Sequence, residues 1–375
     1  MIPILYDGWP LSYSPNSPGA LHLLTLLEVR SGEFEPVVAL PTAGPSWIPK
    51  DIPTRVVGVE NTPTGRLLWE QSKLPALARE LDAQLVHITT YSPALFAPIK
   101  SVISPAGFIS PPFGGPAGSA GSNRDIWEAG QREGLAERLR RSLSQGTYER
   151  VLALFWPGDL PYYGTKAEPA HIKRLPPVVH PAFLGGQDQA SDDLSETYIL
   201  YQGPYNRDSV QNLLQAWSWA AGPLGDNCSL VLAGVREDLL SPLGNLITVS
   251  GLSDSIQVLP VLSPSELAGL YQGCKGLFHP GELSIWDGPL RHAMSCGRPI
   301  IAANSLLAEA LLGPAAYLVP EKDFRGMGAA LITIVVEEEV EERLSRAARE
   351  RSAHWDLGLF REALARTYQN LVRAG

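Results

Sequence analysis

The sequence predicts an α/β protein built from two Rossmann-like, doubly wound domains that face each other across a cleft. Short apolar runs such as "IPILY" near the start and "TYILYQG" after residue 196 alternate with stretches of helical periodicity. This alternation is typical of parallel sheets covered by helices, and continuous apolar runs are expected of strands buried on both faces. A chain of 375 residues also has room for about two domains of roughly 150 residues each.

The point at which the alternation restarts sets the predicted domain bounds. We place the N-terminal domain at residues 1–183, a linker at 184–196 and the C-terminal domain at 197–354. The linker, "LGGQDQASDDLSE", is polar and lacks apolar periodicity. A Gly-, Pro- and Ser-rich segment at 109–123 is either a tether or a loop that closes over an acceptor.

Composition excludes several classes of function. A net charge of -9 and a pI near 5.4 argue against a nucleic-acid-binding protein, which needs a basic surface. The three scattered cysteines have no metal-ligand spacing, so neither a disulfide framework nor a zinc site is expected. No apolar run is long enough to span a bilayer and no basic segment opens the chain, so we expect a cytoplasmic protein. Arginines near 138–141, interleaved with glutamates, form either a peripheral contact with the inner face of a membrane or a solvated mixed face.

The stretch "SIWDGPLRHAMSCG" at 284–297 carries polar residues around a helix start. Gly288 and the proline after it suit the entrance of a short helix whose apolar stripe is buried. Ser284, Asp287 and His292 are not part of that stripe. Backbone N–H groups at a helix start favour anions such as a diphosphate, and the helix dipole should keep His292 neutral.

The turn "YQGPYNRDS" at 201–209 is a second candidate for phosphate binding. Gly203 permits close approach of the backbone, and Arg207 can clamp a phosphate oxygen through paired donors. No GxxxxGK[ST] loop occurs, and no GxGxxG follows the first strand, so an NAD-dependent oxidoreductase is disfavoured.

In the order of these pieces the chain resembles the family-4 retaining glycosyltransferases of the GT-B fold, over nearly its whole length. The matching stretches include "GRLLWEQSKLPALARELDAQLVHITTYSP" (65–93), "YILYQGPYNRDSVQNLLQAW" (198–217), "LSPSELAGLYQGCKGLFHPG" (262–281) and "GPLRHAMSCGRPIIAANSLLAEALLGPAAYLVPEKD" (288–323). The resemblance implies a UDP-, GDP- or ADP-sugar in the C-terminal half and a glycan or lipid-linked acceptor in the N-terminal half. It also implies that the last helix, 355–375, returns to the first domain.

The resemblance implies which residues of this chain stand at the functional positions of the family. At most of these positions this chain has a different residue type. A loop glutamate of the family falls on Ser284, and a ribose-binding glutamate falls on His292. The family's N-domain histidine falls on Ala106, whereas His87 matches another histidine of the pattern. The resemblance implies that Ala106, His87 and Gly19 lie on the acceptor side of the cleft. Gly19 represents the family's Gly-rich loop and is expected near a phosphate.

The cationic positions of the family are also changed. Its arginine falls on Pro204, and its lysine falls on Asp208, with Arg207 beside it. Arg236 is a further cation that can compensate in the cleft. Two carboxylates complete the expected donor site, since Glu282 can replace the loop glutamate after a register shift and Glu309 matches a family loop glutamate or caps the next helix.

Two hypotheses follow. In the first, Arg207, Ser284 and His292 act in a retaining glycosyltransferase that needs no metal or other cofactor, because no DxD pair is present. In the second, the replaced markers indicate a non-catalytic GT-B protein that binds a glycan, a nucleotide or a partner enzyme. A sugar-nucleotide epimerase or a phosphorylase is a third, less favoured reading, because the features typical of those families are not seen.

Overall fold

A computed structural model of the chain describes residues 1–90, 99–107, 151–162, 168, 170–184 and 197–374. The segment 109–123, the arginines near 138–141 and all of the predicted linker except Leu184 lie outside these residues.

Two parallel sheets form the framework, which confirms the predicted fold class. The first has seven strands in the order β3-β2-β1-β4-β5-β6-β7, and the second has six in the order β10-β9-β8-β11-β12-β13. The first sheet consists of β1 (Ile2–Asp7), β2 (Phe34–Leu40), β3 (Thr54–Val56), β4 (Leu85–Ile88), β5 (Ser101–Ile103), β6 (Ala153–Pro157) and β7 (Ile172–Leu175). The second consists of β8 (Tyr198–Tyr201), β9 (Ser229–Val235), β10 (Ile256–Pro260), β11 (Gly276–His279), β12 (Ile300–Ala303) and β13 (Ala316–Val319).

Helices cover the sheets. In the first half they are α1 (Trp9–Tyr13), α2 (Pro18–Glu28), α3 (Pro63–Leu68) and α4 (Leu74–Glu80). In the second half they are α5 (Arg207–Leu224), α6 (Glu237–Val249), α7 (Pro264–Gly273), α8 (Pro289–Ser295), α9 (Leu306–Leu312), α10 (Phe324–Val336) and α11 (Glu338–Ser352), followed by α12 (Leu357–Ala374).

Two elements are irregular. The helical stretch from Pro63 to Glu80 is divided by a π-helical turn, Trp69–Lys73, next to Pro75, which has no N–H to continue the α-helical ladder. The short strand β3 at the sheet edge has all three residues exposed, so it carries no apolar run to predict it.

The last helix packs on the first sheet. The hydroxyl of Tyr368 contacts the ring of His87 and lies 3.4 Å from the hydroxyl of Tyr6. The guanidinium of Arg361 donates to the carbonyl of Val29 over 3.1 Å. The chain therefore crosses back after the second sheet, and α12 becomes part of the core of the first half.

Candidate functional site

The carboxyl ends of the two sheets face each other, and the loops after the strands meet between them. In open parallel sheets ligands bind at this edge. The loops after β8, β9, β10 and β11 approach the loop 14–17, the start of α2 and the ends of β4, β5 and β6. Much of the facing surface is in direct contact, with hydrogen bonds between the halves.

Ser284 joins the two halves at the position of the family's loop glutamate. Its hydroxyl donates to the carbonyl oxygen of Ala106 over 2.7 Å. Both residues are buried. The two positions expected to carry a loop carboxylate and an N-domain histidine are thus in contact, and small side chains permit this approach.

Asp287 is the centre of a buried polar cluster. One carboxylate oxygen accepts from Nε2 of His292 and from the backbone N–H of His180, each over 2.9 Å. The other accepts from the hydroxyl of Thr25. Burial alone would raise the pKa of Asp287, but the hydrogen bond from His292, the nearby His22 and the hydrogen bond from Thr25 hold it below its ordinary value of 3.8. The carboxylate is therefore charged and engaged by both halves.

His292 is held as a neutral ring inside this cluster. Burial lowers its pKa, against the opposing effect of Asp287, so burial is the main cause of the neutrality that the helix dipole was expected to produce. Because Asp287 accepts from Nε2, the proton lies on Nε2. The ring stacks on Phe183, with centroids 3.8 Å apart and planes 3° apart, so it does not face an open cleft.

His22 lies on the other side of Asp287. Its ring stacks on Trp286 at 4.8 Å, and its Nδ1 lies 3.9 Å from a carboxylate oxygen of Asp287. Within the described ranges neither ring nitrogen has a hydrogen-bond partner. Burial lowers the pKa of His22 to about 4, so it adds a second neutral imidazole to the interface.

Arg291 makes a second buried contact between the halves. Its two terminal nitrogens donate to the two carboxylate oxygens of Asp159, over 2.9 and 2.8 Å. Its Nε donates to the carbonyl of Ile285 over 2.8 Å, and the guanidinium lies 5.1 Å from the ring centroid of Trp355. The side chain is fully buried.

The start of α8, expected to receive a diphosphate, is covered. A Cβ added at Gly288 would lie 2.7 Å from Cβ of Ser284 and 3.5 Å from Cγ of Pro18. Gly19 is similarly enclosed, because a Cβ there would lie 3.1 Å from the carbonyl oxygen of Thr89. In this conformation the first domain fills the space beside these glycines.

His87 lies elsewhere, which corrects its expected acceptor-side position. It is fully buried, its Nε2 lies 2.8 Å from the hydroxyl of Ser104, and its Nδ1 contacts Tyr368 on α12. Burial places its pKa well below the ordinary value. His87 therefore belongs to the core between the first sheet and α12.

The remaining predicted residues lie outside the buried cluster around Asp287. Arg207 and Asp208 are exposed at the start of α5, after Gly203 with its φ of +67°. Arg236, expected to compensate in the cleft, forms a two-pronged pair with Asp238 over 3.1 and 2.8 Å, so its charge is already engaged by a neighbouring carboxylate.

Two predicted carboxylates complete this set. Glu309 is exposed on α9, and Ser305 caps that helix instead, accepting from the N–H of Ala308 over 3.1 Å. Glu282 is half-buried, and its carbonyl lies 2.6 Å from Nε2 of His279.

A cavity of about 530 Å³, here called the outer cavity, opens between the halves. Both halves contribute to its lining, which combines charged and polar residues with apolar ones. The lining residues are Ser12, Tyr13, Pro15, Asn61, Arg236, Glu237, Asp238 and Val261.

Several residues of the interface were not predicted from sequence. Asn16, Thr25, His180 and Asp159 all come from the N-terminal half and bond to the second half. Asp159 follows the apolar run of β6, and a polar residue after a buried strand is the one signal that could have indicated it. Thr25 lies inside the apolar helix α2, where nothing in its spacing distinguishes it from a core residue.

Comparisons with known proteins give the same architecture. Residues 189–351 match the family described as Glycosyl transferases group 1. Over 139 residues the chain is 26% identical to O-antigen chain mannosyltransferase B of Escherichia coli; the match covers 36% of this chain and 36% of that protein. The chain thus spans about a third of the length of this curated relative.

Solved structures match over the whole chain. Sucrose-phosphate synthase from Thermosynechococcus elongatus has a TM-score of 0.69 at 14% identity, with all of both chains covered. WaaG, a glycosyltransferase involved in lipopolysaccharide biosynthesis, has a TM-score of 0.69 at 15% identity, covering 97% of this chain and 99% of WaaG. Anabaena Alr3699/HepE, solved with UDP and glucose, has a TM-score of 0.63 at 16% identity, covering 99% of this chain and 100% of that chain. The protein therefore has the GT-B fold, and residues 189–351 are similar to the family described as Glycosyl transferases group 1.

Proposed function

We propose that this protein is a retaining glycosyltransferase, which moves a sugar from a nucleoside diphosphate sugar to a glycan or lipid-linked acceptor. The observation that carries the proposal is the match of residues 189–351 to glycosyl transferases group 1. The convergence of both carboxyl edges on one interface supports it, because ligands of parallel sheets bind there. The UDP in the Alr3699/HepE structure supports a nucleotide as the donor's leaving group.

In this reaction the bond between the anomeric carbon and the diphosphate breaks, and the acceptor hydroxyl oxygen replaces the diphosphate as it loses its proton. Negative charge grows on the leaving diphosphate, so cations near it lower the barrier. Arg207 is the best placed candidate: it is exposed after β8 and has no ion pair within the described part of the chain. We further propose that transfer needs no metal and that the enzyme works in the cytoplasm, at the inner membrane face when the acceptor is lipid-linked. No helix among the described residues is both long and apolar enough to cross a membrane.

The proposal is tested first by thermal unfolding with UDP, GDP, ADP and their common sugars. A ligand at about 100 times its Kd adds about 2.7 kcal/mol to the stability of the native state. A shift with one nucleotide identifies the donor class, and release of that nucleoside diphosphate with an acceptor then measures transfer.

Arg207→Ala should lower transfer at least tenfold without changing the unfolding temperature, because the side chain is exposed. Arg343→Ala, an equally exposed arginine on α11, is the matched control. Equal transfer by the two variants would remove Arg207 from the site.

The closed interface favours a second candidate, a GT-B protein without catalysis that binds a glycan or partner. Ser284 and His292, at the two family carboxylate positions, are both engaged in buried contacts. This candidate predicts neither a thermal shift with any nucleotide nor transfer from any donor.

A further inference from the structure

Asn16 lies in the loop between α1 and α2 and reaches into the second half. Its side-chain Nδ2 donates to the carbonyl oxygen of Leu262 over 2.7 Å. Its Oδ1 accepts from the backbone N–H of the same residue over 2.8 Å. Both ends of one carboxamide are therefore bonded to the backbone of one residue across the interface.

The backbone of Asn16 is held as well. Its carbonyl accepts from Nε2 of Gln202, after β8, over 2.9 Å, and the other end of that amide, Oε1, accepts from the hydroxyl of Tyr271 over 2.5 Å. Asn16 and Gln202 are buried. This chain of bonds fixes the loop against the carboxyl edge of the second sheet.

The second half is shaped to receive Asn16. A Cβ added at Gly234, near the carboxyl end of β9, would lie 2.7 Å from Cβ of Asn16, and the φ of Gly234 is +79°. Only glycine combines this backbone conformation with the space for the loop. Residues at or just after the carboxyl ends of β8, β9 and β10 thus contact one asparagine.

The contact borders the outer cavity. Pro15 and Val261, which precede Asn16 and Leu262, both line the 530 Å³ cavity. The same segment of the first half continues to Pro18, which lies over Gly288 at the start of α8, and Ser284 bonds to Ala106. Asn16 is therefore next to the cavity and close in sequence to the residue that covers the start of α8.

We propose that Asn16 is an interdomain latch, which holds the two halves together through Leu262 and must release before a donor nucleotide enters. The part concerning the donor rests on the proposed function, whereas the closing role of Asn16 does not. When only the unlatched fraction is competent to bind, the apparent Kd is the intrinsic Kd divided by that fraction. Weakening the latch therefore tightens nucleotide binding without changing any group that touches the nucleotide.

The test compares Asn16→Ala with Asn245→Ala, the same change at an exposed position on α6. Hydrogen exchange of the peptide containing Leu262 is measured without nucleotide, together with the radius of gyration from small-angle scattering. Isothermal titration with UDP, GDP and ADP then gives Kd. Asn16→Asp is the second variant, since it keeps the size and the acceptor but places an oxygen against the Leu262 carbonyl.

We expect at least tenfold faster exchange of the Leu262 amide in both Asn16 variants, a larger radius of gyration, and a Kd about tenfold lower for the nucleotide that binds. Unchanged exchange relative to Asn245→Ala would overturn the latch. Faster exchange with weaker nucleotide binding would also overturn it, because Asn16 would then support the bound state. Faster exchange with no binding of any nucleotide would retain the closing role and count against the proposed donor.

Discussion

Two arginine–aspartate pairs in this molecule each have two hydrogen bonds of similar length but lie in different surroundings. Arg291 binds Asp159 over 2.9 and 2.8 Å between the halves, and Arg236 binds Asp238 over 3.1 and 2.8 Å at the outer cavity. The side-chain exposures are 0% and 20% in the first pair but 14% and 60% in the second. The hydrogen-bond lengths therefore do not show which pair contributes more to stability. The pairs differ in the free-energy cost of leaving one partner buried without water after the other is removed.

The largest expected effect comes from breaking the inner pair. Asp159→Ala should lower the free energy of unfolding by about 2–4 kcal/mol, because Arg291 is left buried without its counter-charge. Denaturant unfolding followed by fluorescence measures the change.

The double variant Asp159→Ala with Arg291→Met sharpens this result. Removal of both charges should recover part of the loss, since the cost comes from the uncompensated cation. A single variant as stable as the wild-type protein would show that water reaches Arg291 and that the halves separate readily.

The second effect concerns the histidines of the interior. Burial lowers the pKa of His22 from 6.5 to about 4, and that of His279 likewise to about 4. A lowered folded-state pKa means that the stabilisation is complete above the unfolded value of 6.5 and is lost as the pH falls towards 4.

His22→Phe tests this linkage at one position while preserving a ring against Trp286. Between pH 7 and pH 5, His22 should account for about 2 kcal/mol of the fall in unfolding free energy, so the variant should lose that much less than the wild-type protein. His354→Phe, at an exposed position, is the control. Identical pH dependence in His22→Phe and wild type would mean that His22 is hydrated in the native state.

The fold could be predicted because its signal is repeated along the chain. Continuous apolar runs require burial on both faces, and their alternation with helical stretches restricts the architecture to parallel sheets. The edge strand β3 was not predicted, because its three residues are exposed and carry no apolar pattern.

The site could be predicted only in part, because it depends on pairing between distant segments. Asp287 and His292 were identified as polar residues beside a helix start, but their partners His180, Thr25 and His22 lie far away in sequence. A local pattern shows that a side chain is unlike a core residue. It does not show whether a ligand or the other half of the same chain satisfies that side chain, and here the other half satisfies Asp287.

The smallest expected effect belongs to the outer pair and completes the comparison. Asp238→Ala should lower the free energy of unfolding by at most about 1 kcal/mol, because water can reach Arg236 after the carboxylate is lost. Part of this change comes from the loss of a negative charge at the start of α6. A double-mutant cycle with Arg236→Ala isolates the pair from that helix effect, and its coupling should be below about 0.5 kcal/mol. A coupling as large as that of Arg291 with Asp159 would mean that the outer cavity excludes water and that the outer pair also holds the halves together. A small coupling would mean that a ligand in the cavity can replace Asp238 as a partner of Arg236 at little cost in stability.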